Sequence, residues 1–305
     1  MANIKRRKIW NVFFIAIFAF LFVCFLLSLK GYLLPQKFSG IKPPQLSDDL
    51  FDSSLLRLNT MAKLEDYCDS VYEADADTKS FPGVVSKTLR YRFYHGYSYY
   101  DAYTNPVAAF TAPLLLKSTL AAVVLPEDII KYPYAACSQQ SIVGMEIFKR
   151  KGFKVREVIM YDDISRAGHF AFEVFYSDSW HFFDTNREPD KDVLTKYNRP
   201  SVAFLKQHPE VTTEAYHNKS PEVFVRLIQS AKLGAANHKL APFATFFQVA
   251  TKYISFFGWV VVGLALVIRF RILKRKSNVS ISRLRRKYKQ LEARSNTVRG
   301  REVRA

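Results

Sequence analysis

Cysteine is scarce in this chain, with three among 305 residues: Cys24, Cys68 and Cys137. No cysteine–histidine cluster has the spacing of a zinc site. Asp101, Glu127, Asp128, Asp162, Asp163 and Glu173 offer no metal spacing either. Glycine is also sparse, at 11 residues, and none of it forms a phosphate-cradling loop. No internal repeat is visible. These absences exclude a zinc module, a phosphate-loop nucleotide site and a repeat array, and no metal or cofactor is expected. Acidic residues are scarce at both ends of the chain. Residues 1–8 carry four basic side chains and no acid; residues 269–305 carry 14 basic and two acidic ones. The formal charge of +18 therefore lies almost wholly in the two tails, and residues 9–268 hold only +2. Such a distribution excludes a nucleic-acid groove and points to membrane topology.

Each basic tail abuts an apolar run. Ile9–Leu29 holds 21 residues without a charge, enough to cross a bilayer as a helix. A cleavable signal sequence is the competing reading, but no small-residue cleavage site follows, so an uncleaved anchor is expected. Tyr253–Ile268 gives 16 uncharged residues, about 24 Å as a helix, and extends to a full span through Phe243–Phe247 if Lys252 snorkels or faces protein. A buried core helix competes there; Arg269, Arg271, Lys274, Arg275 and Lys276 argue for a cytoplasmic flank. The expected organisation is a basic cytoplasmic N-terminus (1–8), a first span (9–29), an extracytoplasmic domain with an N-terminal linker (30–242), a second span (243–269) and a basic cytoplasmic tail (270–305). Both termini then face the cytoplasm, in a cytoplasmic (inner) membrane. Ile281, Leu284, Tyr288 and Leu291 share one helical face in the tail, which suits anionic lipid or a membrane complex. Cys68 and Cys137 would lie in an oxidising compartment, which permits a disulfide between them.

Within the domain, Pro35, Pro43 and Pro44 mark a linker, and Asp48 or Asp49 is placed to cap a helix running to about Tyr72. Glu73–Asp77 reads as an acidic loop. Phe81–Tyr103 is aromatic and reads as β-prone. Pro106–Val124 reads as helical, and Pro126–Asp128 starts a short helix or loop. Ile142, Val143, Met145, Ile147 and Phe148 give an apolar helix from Cys137, stopped by Lys149-Arg150-Lys151-Gly152. Three strands follow: Phe153–Tyr161, His169–Tyr176 and Trp180–Asp184. Helix followed by three strands implies an α+β fold with the helix packed on an antiparallel sheet. Residues 187–240 are polar and mixed, with no motif beyond Asn218-Lys219-Ser220, a short glycosylation match that chance explains.

Cys137, His169 and Asp184 are the parts of an activated thiol nucleophile. A thiol at a helix start meets unpaired N–H groups and a partial positive charge, which favour the thiolate and can hold an oxyanion. His169 serves as base and acid if it reaches the sulfur, and Asp184 would orient the ring. Register is a condition on this. With a turn at Tyr176-Ser177, His169 lies opposite Asp184; with Ser177-Asp178, Asp184 sits diagonally on the same face. Cβ atoms in such pairs are about 4.5–8 Å apart. A three-residue turn would put the two on opposite faces unless a bulge intervenes. His95 and the tyrosine-rich stretch 91–103 can line a cleft, although packing is the ordinary role of such residues.

The stretch 134–186 resembles the transglutaminase-like superfamily, relatives of papain-like cysteine enzymes. The resemblance lies in Cys137 at a helix start, in His169-Phe170-Ala171-Phe172-Glu173-Val174, and in Trp180-His181-Phe182-Phe183-Asp184. Ser138 and Thr185 depart from that pattern, where Gly or Trp and then Pro are frequent. The resemblance covers about fifty residues. It implies a transglutaminase/papain-like domain in a bacterial-type membrane-anchored protein, with Cys137 as nucleophile, His169 as base and Asp184 as orienter. Gln139, Gln140 and Tyr134 are candidate oxyanion or cleft residues. The implied activity is hydrolase or acyltransferase chemistry on an extracytoplasmic (periplasmic) peptide, protein or cell-envelope polymer. The alternative is a non-catalytic binding or scaffold module of an envelope complex.

Overall fold

The computed structural model describes residues 2–34, 50–74, 80–115 and 118–302. The expected linker prolines, the caps Asp48 and Asp49, and Asp75 to Asp77 lie outside the described residues. So do the side chains of Leu284, Tyr288 and Leu291. The chain forms two compact units: Gly31–Lys252, and Met1–Lys30 with Tyr253–Ala305.

Among the described residues, two helices are long and apolar enough to cross a membrane, by length and composition. They are the Ile9–Leu33 part of helix α1 (Ala2–Leu33) and the Pro242–Arg275 part of the long final helix. Their packing is aromatic, with Trp259 against Phe22 and Phe25 at 5.4 and 5.3 Å, and Arg269 Nε donates to Asn11 Oδ1 at 2.9 Å.

The unit Gly31–Lys252 is mixed α+β. A short 3₁₀ turn, Ser53–Arg57, is capped by Asp52, and Thr60 then caps α2 (Met61–Glu73). The single helix expected from about residue 50 is thus broken, because Thr60 hydrogen-bonds the Lys63 N–H and restarts it. The expected β stretch at 81–103 is mostly helical. Ser80 caps α3 (Phe81–Arg92), Pro82 sits in its first turn, and burial of Val85, Leu89 and Arg92 outweighs the aromatic, β-branched bias. A two-residue strand β1 (Tyr94–His95) follows. The expected helix 106–124 is also shorter: α4 (Pro106–Leu114) has Pro113 near its end, and a 3₁₀ turn occupies Ser118–Ala121. Next come α5 (Pro126–Ile129) and β2 (Tyr134–Ala135), which pairs in parallel with β1.

The remaining elements up to the sheet follow the sequence reading. Helix α6 (Cys137–Arg150) ends at Lys151, and Gly152 takes φ +82° as its C′ residue. Strands β3 (Lys154–Asp162), β4 (Ala167–Tyr176) and β5 (Ser179–Phe183) form an antiparallel meander. The β4–β5 turn is Ser177-Asp178, both with positive φ, so Tyr176 pairs with Ser179 and Phe172 with Phe183. Residues 187–240, featureless in the sequence reading, fold into α7 (Lys191–Lys196), α8 (Val202–Gln207), α9 (Pro209–Ala215) and α10 (Pro221–Ser230), then β6 (Lys232–Leu233). β6 joins the sheet to give the order β5-β4-β3-β6, and α11 (Pro242–Glu302) follows.

The sheet has a core on each face. Phe172, Val174, Phe183 and Val155 pack with α2, α3 and α6; Val158, Met160, Ala171 and Phe182 pack with α7 to α10. Strand alternation divides the two sets. The helix α6 comes so close to β4 that a Cβ at Gly144 would stand 3.0 Å from Phe172.

Candidate active site

Cys137 is the first residue of α6, half-buried, after the extended Ala136. One turn on, Ser141 Oγ donates to the Phe170 carbonyl at 3.3 Å, which ties the start of α6 to the start of β4. His169 precedes Phe170, so this tie brings Cys137 and the imidazole together. His169 Nε2 lies 2.6 Å from Asp184 Oδ2, and the Cys137 side chain hydrogen-bonds the same ring. Nε2 being engaged by the carboxylate, Nδ1 is the nitrogen left for sulfur.

The hairpin register explains the second contact. Asp184 follows the last residue of β5 and, in the observed pairing, continues to a position opposite Ala171. It therefore lies diagonally from His169 on the same face, the second of the two arrangements compatible with a two-residue turn. Four donors hold Asp184. Its Oδ1 accepts from the Asn186 and Arg187 N–H groups at 3.2 and 2.9 Å, and its Oδ2 from the Tyr216 hydroxyl at 3.2 Å besides the imidazole. Tyr216 in turn stacks on Phe224 at 3.9 Å, and Phe224 meets the His169 ring edge-on at 5.9 Å.

The side chain of His169 is 9% exposed and that of Asp184 is fully buried. Burial alone would disfavour the imidazolium. The Asp184 carboxylate, its hydrogen bond and the Cys137 side chain outweigh it, and the His169 pKa is pushed up to about 10. Burial likewise works against the Asp184 carboxylate, but His169 and the backbone N–H groups hold it below its ordinary value. The stable arrangement is an imidazolium held by the Asp184 carboxylate.

The other candidates fall into different roles. Gln139 is buried and saturated: Oε1 accepts from Ser98 N–H and Ala136 N–H at 2.9 and 3.2 Å, and Nε2 donates to the Ser98 and Val123 carbonyls at 2.9 and 2.8 Å. It has no capacity left for an oxyanion. It shapes the first turn of α6, in the manner of the N3 half of a capping box. Gln140 is buried, donates to the Ala135 carbonyl at 2.9 Å, and keeps an unbonded Oε1. The Gln140 Nε2 also carries a second N–H beyond that bond. Tyr134 is half-buried in β2, and burial pushes its hydroxyl pKa up. His95 pairs with Ala135, two residues before Cys137, so the β1 segment runs beside the nucleophile. Tyr97 and Tyr99 beyond it are exposed and 5.9 Å apart. The first backbone N–H groups of α6 have no acceptor within the helix itself.

Cys68 is a free, buried core cysteine on α2, as Cys137 is free, so the permitted disulfide is not formed. Burial pushes the Cys68 thiol up to about 12, against the pull of its hydrogen bond to Thr88. Among the described residues no group of histidine, cysteine and acidic side chains is arranged to hold a metal ion. Lys252 pairs with Asp128, which also accepts from Tyr100 at 2.5 Å and pairs with Lys131. The charge that interrupts the second apolar run thus faces protein.

Sequence reasoning missed Tyr216, Phe224, and the Glu188–Arg199 ion pair beneath Asp184. A signal existed: Pro209-Glu210-Val211 and Pro221-Glu222-Val223 are two helix starts, and Phe224, Leu227 and Ile228 give an apolar face at helical spacing. No family model matches the chain, and neither a curated protein nor a solved structure matches it.

Proposed function

We propose that this chain is a membrane-anchored, transglutaminase-like cysteine enzyme acting on a peptide or amide outside the cytoplasm. The reading is carried by one observation: sulfur, imidazole and carboxylate from α6, β4 and the end of β5 form one hydrogen-bonded series. In the reaction, the Cys137 thiolate bonds to the carbonyl carbon of the substrate. The carbonyl electron pair moves onto oxygen, which the N–H groups at the start of α6 stabilise. Collapse breaks the C–N bond, His169 gives its proton to the departing amine, and an acyl-thioester remains. His169, now neutral, takes a proton from water or a second amine, which bonds to the acyl carbon; the C–S bond then breaks, its electron pair returns to the Cys137 sulfur, and the acid or a new amide leaves. Asp184 keeps the ring oriented throughout. The two apolar helices and their basic flanks support a topology with both termini cytoplasmic and the domain extracytoplasmic.

The test is reaction of the full chain in detergent with an electrophilic acyl-mimicking probe, read by mass spectrometry. Selective labelling of Cys137, at least 100-fold slower after His169→Ala, is expected. Labelling of Cys137 no faster than that of an exposed thiol in denaturant overturns the enzymatic reading and leaves a binding module.

A further inference from the structure

We infer that α4 and the following Leu115 form a membrane-docking surface, whose occupant is the lipid of the leaflet facing the domain. This rests on the anchoring by α1 and α11 in the proposed function. It goes beyond that reading, since two spans by themselves do not require the domain to touch lipid.

The residues of this stretch set it apart. No charge occurs from Ala102 to Leu116. In α4, Val107, Ala108 and Ala112 are buried, while Pro113, Leu114 and then Leu115 are exposed. Leu114 is 80% exposed. The helix is thus apolar on its open side as well as on its packed side. Its one hydroxyl, on Thr111, donates back to the Val107 carbonyl at 2.6 Å. Exposed apolar surface of this kind marks an apolar partner. Nine residues give a helix of about 14 Å, against about 30 Å of hydrocarbon core, so α4 lies along the interface and does not cross it.

The occupant is identified by where α4 is fastened within the unit Gly31–Lys252. The chain leaves that unit for its apolar helices before Gly31 and after Lys252. The segment leading into α4 packs at both points. Gly31 of α1 comes so close to Tyr103 that a Cβ there would collide with the Tyr103 carbonyl oxygen. Asn105 caps α4 by accepting from the Ala108 N–H at 3.3 Å, and its Nδ2 donates to the Gln248 carbonyl and Thr251 Oγ1 of α11 at 3.2 and 3.0 Å. The far side of α4 is tied to the same turn of α11. Gln248 Nε2 donates to the Leu120 and Ala122 carbonyls at 3.1 and 2.7 Å, and its Oε1 accepts from the Val124 N–H at 3.0 Å. Thr251 precedes by two residues, about 3 Å along the helix, the uncharged run that begins at Tyr253. So α4 is held where the chain enters the bilayer. An independent observation agrees. Tyrosine is enriched at membrane–water interfaces, and Tyr32, Tyr103 and Tyr253 stand exposed at these points.

The experiment places a nitrobenzoxadiazole label on one introduced cysteine of the full chain, in a Cys137→Ser background reconstituted into nanodiscs. The background chain without the introduced cysteine measures any labelling of the buried Cys24 and Cys68. Bromines near the headgroup end of the lipid acyl chain quench a shallow label, and bromines near the chain terminus quench one at mid-bilayer. Leu114→Cys and Leu115→Cys are expected to lose about half their emission to the shallow bromines and less to the deep ones, as suits a helix about 5–10 Å into the headgroup boundary. Val261→Cys, in the second apolar helix, is expected to show the reverse order. Ile164→Cys on the β3–β4 turn, where Ile164 is 76% exposed, is expected to show no quenching. Quenching of Val261→Cys, with Leu114→Cys and Leu115→Cys as bright as Ile164→Cys, overturns the inference and leaves the anchoring intact. Equal quenching at Ile164→Cys and Leu114→Cys also overturns it, since the contact is then no property of α4. An unquenched Val261→Cys overturns the anchoring and the inference together.

Discussion

Replacing Asp184 by Asn removes one charge from a buried site and leaves its shape nearly intact. The consequence follows from the balance around His169. Its ordinary pKa is 6.5, and the site holds it near 10 although burial pulls the other way. Without the carboxylate, burial dominates and the value drops below 6.5. The imidazolium then loses more than three powers of ten in population relative to neutral ring, on the order of 4 kcal/mol at about 1.4 kcal/mol per unit. The sulfur loses its cationic partner. Iodoacetamide labelling of Cys137 at pH 6 is therefore expected to slow, by up to about 300-fold, the ratio between a full thiolate and a free thiol of pKa about 8.5. From pH 5 to 8, the variant's rate is expected to climb more steeply with pH than that of the native chain. Labelling followed by mass spectrometry on the folded chain in detergent reads this directly. Superimposable profiles for the native chain and Asp184→Asn would refute the coupling between carboxylate, ring and sulfur.

The same pair sets a pH window for stability. A raised His169 pKa stabilises the fold fully below 6.5, and that contribution is lost as pH rises toward about 10. A lowered Asp184 pKa stabilises above 3.8, and that contribution is lost as pH falls below it. The stability difference between the native chain and Asp184→Asn is expected to be greatest between about pH 4 and 6.5 and to shrink on either side; denaturant titrations at pH 5 and pH 9 check it. Tyr216→Phe removes one hydrogen bond to a buried carboxylate, an expected loss of about 1–3 kcal/mol with less than tenfold change in labelling. Gln139→Ala leaves Ser98 N–H and the Ser98 and Val123 carbonyls without their partner, and is expected to cost about 2–4 kcal/mol in unfolding free energy. Arg92 bonds the carbonyls of Leu58, Ile130 and Tyr132 from a fully buried position. Arg92→Ala is expected to cost about 3–5 kcal/mol, seen as lost thermal cooperativity or lost expression.

What the chain declares in its own residues is local. The start of α6 at Cys137, its stop at Gly152, the three strands and the two apolar runs with basic flanks are all periodic or terminal signals that neighbouring residues generate among themselves. The same signals failed where tertiary burial won. At 81–92 the aromatic, β-branched stretch became a helix because one helical face could bury Val85, Leu89 and Arg92 against α2 and α6. At 187–240 the short helices lacked length enough to stand out, though they build the far core and supply Tyr216. The hairpin left two registers open that place the same side chains on the same faces, and the turn formed at Ser177-Asp178, both at positive φ, is the one that sets Asp184 diagonal to His169. The saturation of Gln139 was likewise invisible in sequence, since it depends on Ser98 and Val123, 41 and 16 residues away. A sequence names the reactive atoms; distance, burial and the sharing of hydrogen bonds among remote segments decide which of them meet.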